Sequence, residues 1–324
     1  MLLPDRATIL ATPASLKLDF MCRGLRVEGD TAATAPRRMR AGLGSGLELV
    51  LPDGVRLNAP VVETFAARSP YVLRARGDGH EIAREDGPDL PGTPVAVAPP
   101  PAFAGRKTSS GKPMGRVATL QGTEKADDEI VETALAARRE GVTFIHHMSF
   151  CVEAGNPEHF ARVCPGKAAT IGHEAYFDAI EHCARRFRSG AVSGEIIAGI
   201  EPAADTLAAI DRITRAGAFP TVCVFRPLAG TAMADASPPA FEAMYPVFRH
   251  LYRRVVDRGI PVGLAPNIHV SIIVTPAEAR AFAEPGGFSP RWHAYHATLA
   301  GKRVLGNLHY RYRSRGVPPR TLDA

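Results

Sequence analysis

The chain has 324 residues, 45% hydrophobic and 22% charged, which suits one large or two medium domains and excludes wholesale disorder. No run approaches the ~18 uninterrupted apolar residues of a membrane span. The first 20 residues carry Asp5, Arg6 and Lys17 in place of a signal-peptide core, so a cytoplasmic address is expected.

The net charge of +6 belongs to a tail. Lys302, Arg303, Arg311, Arg313, Arg315 and Arg320 face one acid, Asp323, in the last 24 residues; without them the balance is 33 against 32, or +1. Nucleic-acid and membrane partners are therefore not expected, whereas a small-molecule substrate is; homo-oligomerisation stays open. Five scattered cysteines (Cys22, Cys151, Cys164, Cys183, Cys223) read as thiols or ligands, not as a disulfide framework.

Residues 1–122 form short apolar runs between turn signals, as in Leu47–Leu51 before Pro52-Asp53-Gly54, then Val55–Val62 and Tyr71–Leu73. A β-rich N-terminal region is predicted. Six prolines between Gly87 and Pro101 predict an extended connector, since proline is unsuited to a central strand or a helix interior.

Residues 126–283 alternate between helix and strand patterns. Asp127-Asp128-Glu129 opens a helix closed by Arg138, Arg139 and Gly141, and Val142–Met148 reads as a buried strand. Tyr176, Ile180, Cys183 and Phe187 make one apolar helix stripe. Strand Val192–Ile200, helix Asp205–Ala216, strand Phe219–Phe225, helix Phe241–Arg258 and strand Ile268–Val274 follow, and residues 284–324 are the basic tail. The pattern predicts α/β architecture with right-handed crossovers: a parallel sheet resembling part of a (βα) barrel, because a closed barrel needs eight strands. Its first strand, Val142–Met148, would lack a neighbour; N-terminal strands beside it, or a second chain, are expected to cover that edge.

Ligands of such sheets bind beyond the carboxyl ends of the strands. Three strand ends are polar or glycine-rich: His146–Gly155, Ser193–Pro202 and Phe225–Thr231. In this order they resemble the later half of the radical S-adenosylmethionine (SAM) fold, in the branch near biotin synthase. Ser193-Gly194-Glu195-Ile196 and the Pro227-Leu228-Ala229-Gly230-Thr231 turn carry the likeness. Arg162–Ala168, Gly24–Val27 and Gly111–Ala118 are similar to a subfamily found beside nitrilases. The resemblance implies SAM and a [4Fe–4S] cluster as cofactors. It matches Glu153 to an acid near the SAM ribose and amino acid, and Glu201 and Gly199 to the next strand end. Gly230 and Thr231 match the turn that brackets adenine.

The residues also allow plainer roles: a solvated Glu153, Glu201 opening a helix before Pro202, and Gly230 as a turn glycine. Arg226 suits a substrate or cofactor carboxylate, or an ion pair. The sequence departs from the family in its thiols. A cluster of that type needs three thiolates, usually CxxxCxxC, and no two cysteines here are closer than Cys151 and Cys164. The cluster loop and first barrel strands are missing between Gly122 and Asp127, and no cluster ligand is assigned. A SAM- or nucleotide-binding module without radical chemistry is one alternative function. Another is a metal-dependent hydrolase built on His146, His147, Cys151, Glu153, His159 and Cys164, although no tight metal signature is present and no metal ligand is assigned.

Overall fold

A computed structural model describes residues 3–28, 46–51, 55–77, 79–85, 93–97, 147–228, 230–264, 270–283 and 288–313. The chain divides into two compact units, Met1–Ala98 with His147–Gly306, and Pro99–His146 with Asn307–Ala324. Nearly all described residues belong to the first. The helix expected at 127–139 and most of the strand expected at 142–148 lie outside the described residues.

The N-terminal region is β-rich, but it begins with two helices, α1 (Arg6–Ala11) and α2 (Pro13–Arg23). Pro13 opens α2 at a position where its missing N–H costs nothing. The strands β1 (Arg26–Val27), β2 (Leu47–Val50), β3 (Arg56–Ala59), β4 (Tyr71–Arg76), β5 (Gly79–Arg84) and β6 (Thr93–Val97) form one sheet in the order β1-β4-β5-β6-β2-β3. Gly77, at φ 59, makes the tight link that pairs Arg76 with Gly79.

The proline-rich connector therefore contains a strand. Pro94 is tolerated there because it faces only β5, opposite Glu81, while the pairing to β2 runs through Ala96 and Val97.

Helix α2 is buried on both sides. Leu16 and Phe20 join Leu47, Leu49, Leu57, Tyr71 and Leu73 of the sheet, while Leu18, Met21 and Cys22 join the larger core. Its charged residues are compensated. Lys17, fully buried, donates to the Val270 carbonyl (2.8 Å) and to both oxygens of Glu278 (3.1 and 3.0 Å). Asp19 accepts from Arg23 (2.9 Å) and from the Tyr71 hydroxyl.

The second half is a three-stranded parallel sheet, β7 (Met148–Glu153), β8 (Val192–Ala198) and β9 (Phe219–Val224), in sequential order. Between them run α3 (Pro157–Val163), α4 (Pro165–Thr170), α5 (His173–Arg186) and α6 (Ala203–Arg215); α7 (Phe241–Asp257), α8 (Arg280–Ala283) and α9 (Pro290–Arg313) follow. The α/β class and the parallel sheet match the expectation.

Three details differ. The first strand runs through Met148–Glu153, later than expected. Of the expected stripe of α5, Ile180 is buried and Tyr176 and Cys183 pack partly buried on the core, but Phe187 is half exposed and His173 and Phe177 are buried in addition. Residues 270–274 are not strand; Val274 enters the core from a loop.

Among the described residues β7 is an edge strand, and the N-terminal strands form their own sheet rather than covering it. No described helix is long and apolar enough to cross a membrane.

Candidate functional site

The two faces of the parallel sheet are chemically opposite. On one, Val152, Ile196, Ala198, Val222 and Val224 pack with Phe177, Ile180, Ile210 and Ile213. Gly194 lets the helices approach: a Cβ there would lie 2.7 Å from Ile213 Cδ1 and 2.9 Å from Ile180 Cδ1. That is the physical role of the glycine in the Ser-Gly strand motif.

The other face carries a polar chain. Cys151 donates to Glu195 Oε2 (3.3 Å), Ser149 to Glu195 Oε1 (2.7 Å) and Ser193 to Ser149 (2.9 Å). Each hydroxyl has one proton, so the 2.8 Å contact of His147 Nε2 with Ser193 Oγ is donated by the imidazole.

Parallel pairing places the carboxyl ends of β7, β8 and β9 on one side. At the first end the register slips between Cys151 and Glu153, and Glu153 adopts φ 67, the positive-φ non-glycine residue of the described chain. A bulge with a left-handed residue re-aims the side chain at a cost of about 1–2 kcal/mol. Lys167 meets the redirected carboxylate at 2.5 Å and donates also to the Cys151 carbonyl (3.3 Å). Burial alone would lower the Lys167 pKa; the bond and charge of Glu153 outweigh it and raise it.

Glu201 follows β8 and is buried. It accepts from the backbone N–H groups of Gly155 (2.9 Å) and Asn156 (3.0 Å) and from the Thr206 hydroxyl (3.0 Å). It thereby ties the loop after β7 to the start of α6, which begins just beyond Pro202 as the plainer reading of that dipeptide expects. Gly199, at φ 97, sits against Pro239, 2.7 Å from the position of a Cβ.

Arg226, beyond β9, is buried, and burial lowers its pKa. It donates to Asn58 Oδ1 (3.0 Å) and to the Asn58 carbonyl (2.8 Å). Its guanidinium is thus engaged by β3 of the N-terminal sheet. Gly230, at φ 80, has open space around its Cβ position, and Thr231 is exposed and caps the turn on Leu228 O (2.8 Å).

The structure disperses the run of potential metal ligands between His146 and Cys164. His146 lies outside the described residues. His147 and Cys151 belong to the polar chain, Glu153 pairs with Lys167, and Cys164 links α3 to α4. Instead His159 stands near Glu201 and Asp205.

The thiols do not fit a [4Fe–4S] cluster. They lie on α2, β7, the α3–α4 junction, α5 and β9, and four of them have conditions that oppose a thiolate. Burial, then Glu195, pushes Cys151 up to about 12; burial and Glu153 raise Cys164; burial raises Cys22 and Cys223 strongly.

Sequence reasoning missed Lys167, whose signal was its place in the Cys164-Pro165-Gly166-Lys167 turn facing a strand-end acid. It also missed Glu195 as the acceptor that organises the polar face, and Asp205.

The bacteriochlorophyllide c C-7(1)-hydroxylase of Chlorobaculum limnaeum is 29% identical to the chain over 96 residues, 29% of this chain and 24% of the hydroxylase. The chain thus matches about a quarter of that enzyme's length. No family model and no solved structure matches it.

Proposed function

We propose that the chain is a radical-SAM-like enzyme, or the SAM-side part of one, and that its strand ends take up the adenosyl ligand. In this reading Glu153 meets the cationic end of SAM, and the backbone at Gly230 and Thr231 borders the adenine. Gly199, Glu201 and Arg226 hold the strand ends around the ligand.

One observation carries the reading. The residues that resemble the family follow three consecutive parallel strands, on one side of one sheet, in the family's order. The likeness to a hydroxylase over 96 residues points the same way. Strain at Glu153 adds support, since left-handed non-glycine residues cluster at ligand sites. Within these 324 residues the thiols suit no cluster, so the reading assigns the chain SAM binding and assigns none of its residues to a cluster.

Calorimetric titration of SAM, with ATP and adenosine as separate arms, tests it. Saturable SAM binding, weakened at least tenfold in Glu153→Gln and weaker for ATP, is expected. Equal binding of ATP would make the site a general nucleotide site. No SAM binding, before and after anaerobic treatment with iron and sulfide, would overturn the reading.

A further inference from the structure

His159 and the pair Glu201 and Asp205, more than 40 positions apart in sequence, meet in space. His159 lies in α3, whose start is fixed by Asn156 accepting from Glu158 N (2.9 Å) and His159 N (3.3 Å). Glu201 follows β8, and Asp205 lies in the first turn of α6. One imidazole nitrogen and one oxygen from each carboxylate fall within 4.8 Å of one another.

Two further observations single out this group. His159 Nδ1 is buried without a hydrogen-bond partner, a state that costs free energy unless something occupies that nitrogen. Among the described residues, moreover, no lysine or arginine forms an ion pair with Glu201 or Asp205. Two carboxylates so close repel unless a cation stands between them.

We propose that His159, Glu201 and Asp205 form a binding site for a divalent first-row transition-metal ion. One imidazole with two carboxylates is a mixed nitrogen–oxygen donor set, suited to Mn²⁺, Fe²⁺ or Zn²⁺ and unlike the all-oxygen sets of calcium sites. Three protein ligands leave coordination positions for water or another molecule.

Glu201 is prepared for the role. A carboxylate has about four acceptor sites, and its bonds from Gly155 N, Asn156 N and Thr206 Oγ1 use three of them. Those donors fix its orientation, as outer-shell partners of metal ligands do. Gly155 is required for the geometry: a Cβ there would lie 2.6 Å from the Asp205 carbonyl oxygen. The site shares Glu201 with the strand ends assigned to SAM and His159 with the His146–Cys164 run, but Asp205 belongs to neither, and the group as a whole is a separate donor set.

The test is titration of Mn²⁺ into the chelator-treated full chain, with free Mn²⁺ read by its EPR signal and Zn²⁺ as competitor. One ion per chain is expected, displaced by Zn²⁺. Affinity should fall at least tenfold in Asp205→Asn and in His159→Gln, and stay unchanged in the surface control Glu181→Gln. Electron spin-echo modulation from a coordinated imidazole ¹⁴N, measured on the unsubstituted protein, reads the histidine ligand without any variant. Absence of stoichiometric binding, absence of the ¹⁴N modulation, or binding that survives both substitutions in folded protein would overturn the site.

Discussion

Arg226 and Asn58, 168 positions apart, are joined by two hydrogen bonds that fasten the end of β9 to β3. Asn58 is fully buried, and each of its four polar atoms has a partner. Its amide donates to Glu48 (2.9 Å), and its backbone N–H donates to the Ser271 carbonyl (3.0 Å). One asparagine thus connects the N-terminal sheet, the parallel sheet and the loop before α8.

Replacing Arg226 should therefore act on stability before it acts on any ligand. Arg226→Met leaves two buried acceptors without a donor, each costing about 1–3 kcal/mol. Arg226→Lys should recover little, because an ammonium cannot reproduce the fork that reaches both oxygens. Chemical denaturation checks this. A loss under 1 kcal/mol in Arg226→Met would contradict the fastening role.

The buried pair of Lys17 and Glu278 should leave a mark on the pH dependence of stability. Burial lowers the Lys17 pKa below its ordinary value of 10.5, although Glu278 opposes the shift. Between the lowered folded pKa and 10.5 the unfolded chain binds more protons than the folded one, so stability rises with pH across that window. Below it the cost of burying the charge is fully present. Lys17→Met should lack this rise. Parallel denaturation curves for the two proteins between neutral pH and pH 10.5 decide it, and equal slopes would refute the account.

The cysteine at the centre of the polar face should be slow to react. Cys151 is pushed up to about 12 by burial and then by Glu195, to which it donates. At pH 8 almost none is thiolate, the form that reacts with alkylating reagents. Mass-spectrometric alkylation should find Cys151 protected in the parent protein and labelled several-fold faster in Glu195→Gln. No acceleration in that variant would mean that access alone governs the thiol.

The α/β class, the parallel strands and the position of two of them were legible because period and punctuation encode them. Val192–Ala198 lies inside the expected Val192–Ile200, and Phe219–Val224 inside Phe219–Phe225. The starting helices were not legible. Lys17 and Asp19 interrupt the apolar run of α2, and only the tertiary partners Glu278, Arg23 and Tyr71 make their burial possible. Strand β6 was hidden by Pro94, whose tolerance depends on which neighbour it faces. The candidate residues Glu153, Glu201, Gly230 and Thr231 stood out by type. Their partners Lys167, Thr206 and Asp205 did not, since each is an ordinary helix residue until the fold brings it close.

Two glycines at strand ends, both at positive φ, should respond differently to the same substitution. At Gly230 (φ 80) an added Cβ meets nothing within 4 Å, so Gly230→Ala carries only the left-handed backbone cost of about 1–2 kcal/mol. At Gly199 (φ 97) the Cβ would also lie 2.7 and 2.8 Å from Pro239 Cγ and Cβ, a ring that cannot swing aside. Gly199→Ala adds overpacking of about 1–3 kcal/mol to the backbone cost. Denaturation midpoints of the two variants should separate clearly, with Gly199→Ala the weaker. Equal losses would show that the loop carrying Pro239 yields freely, and that Gly199 is there for its backbone alone.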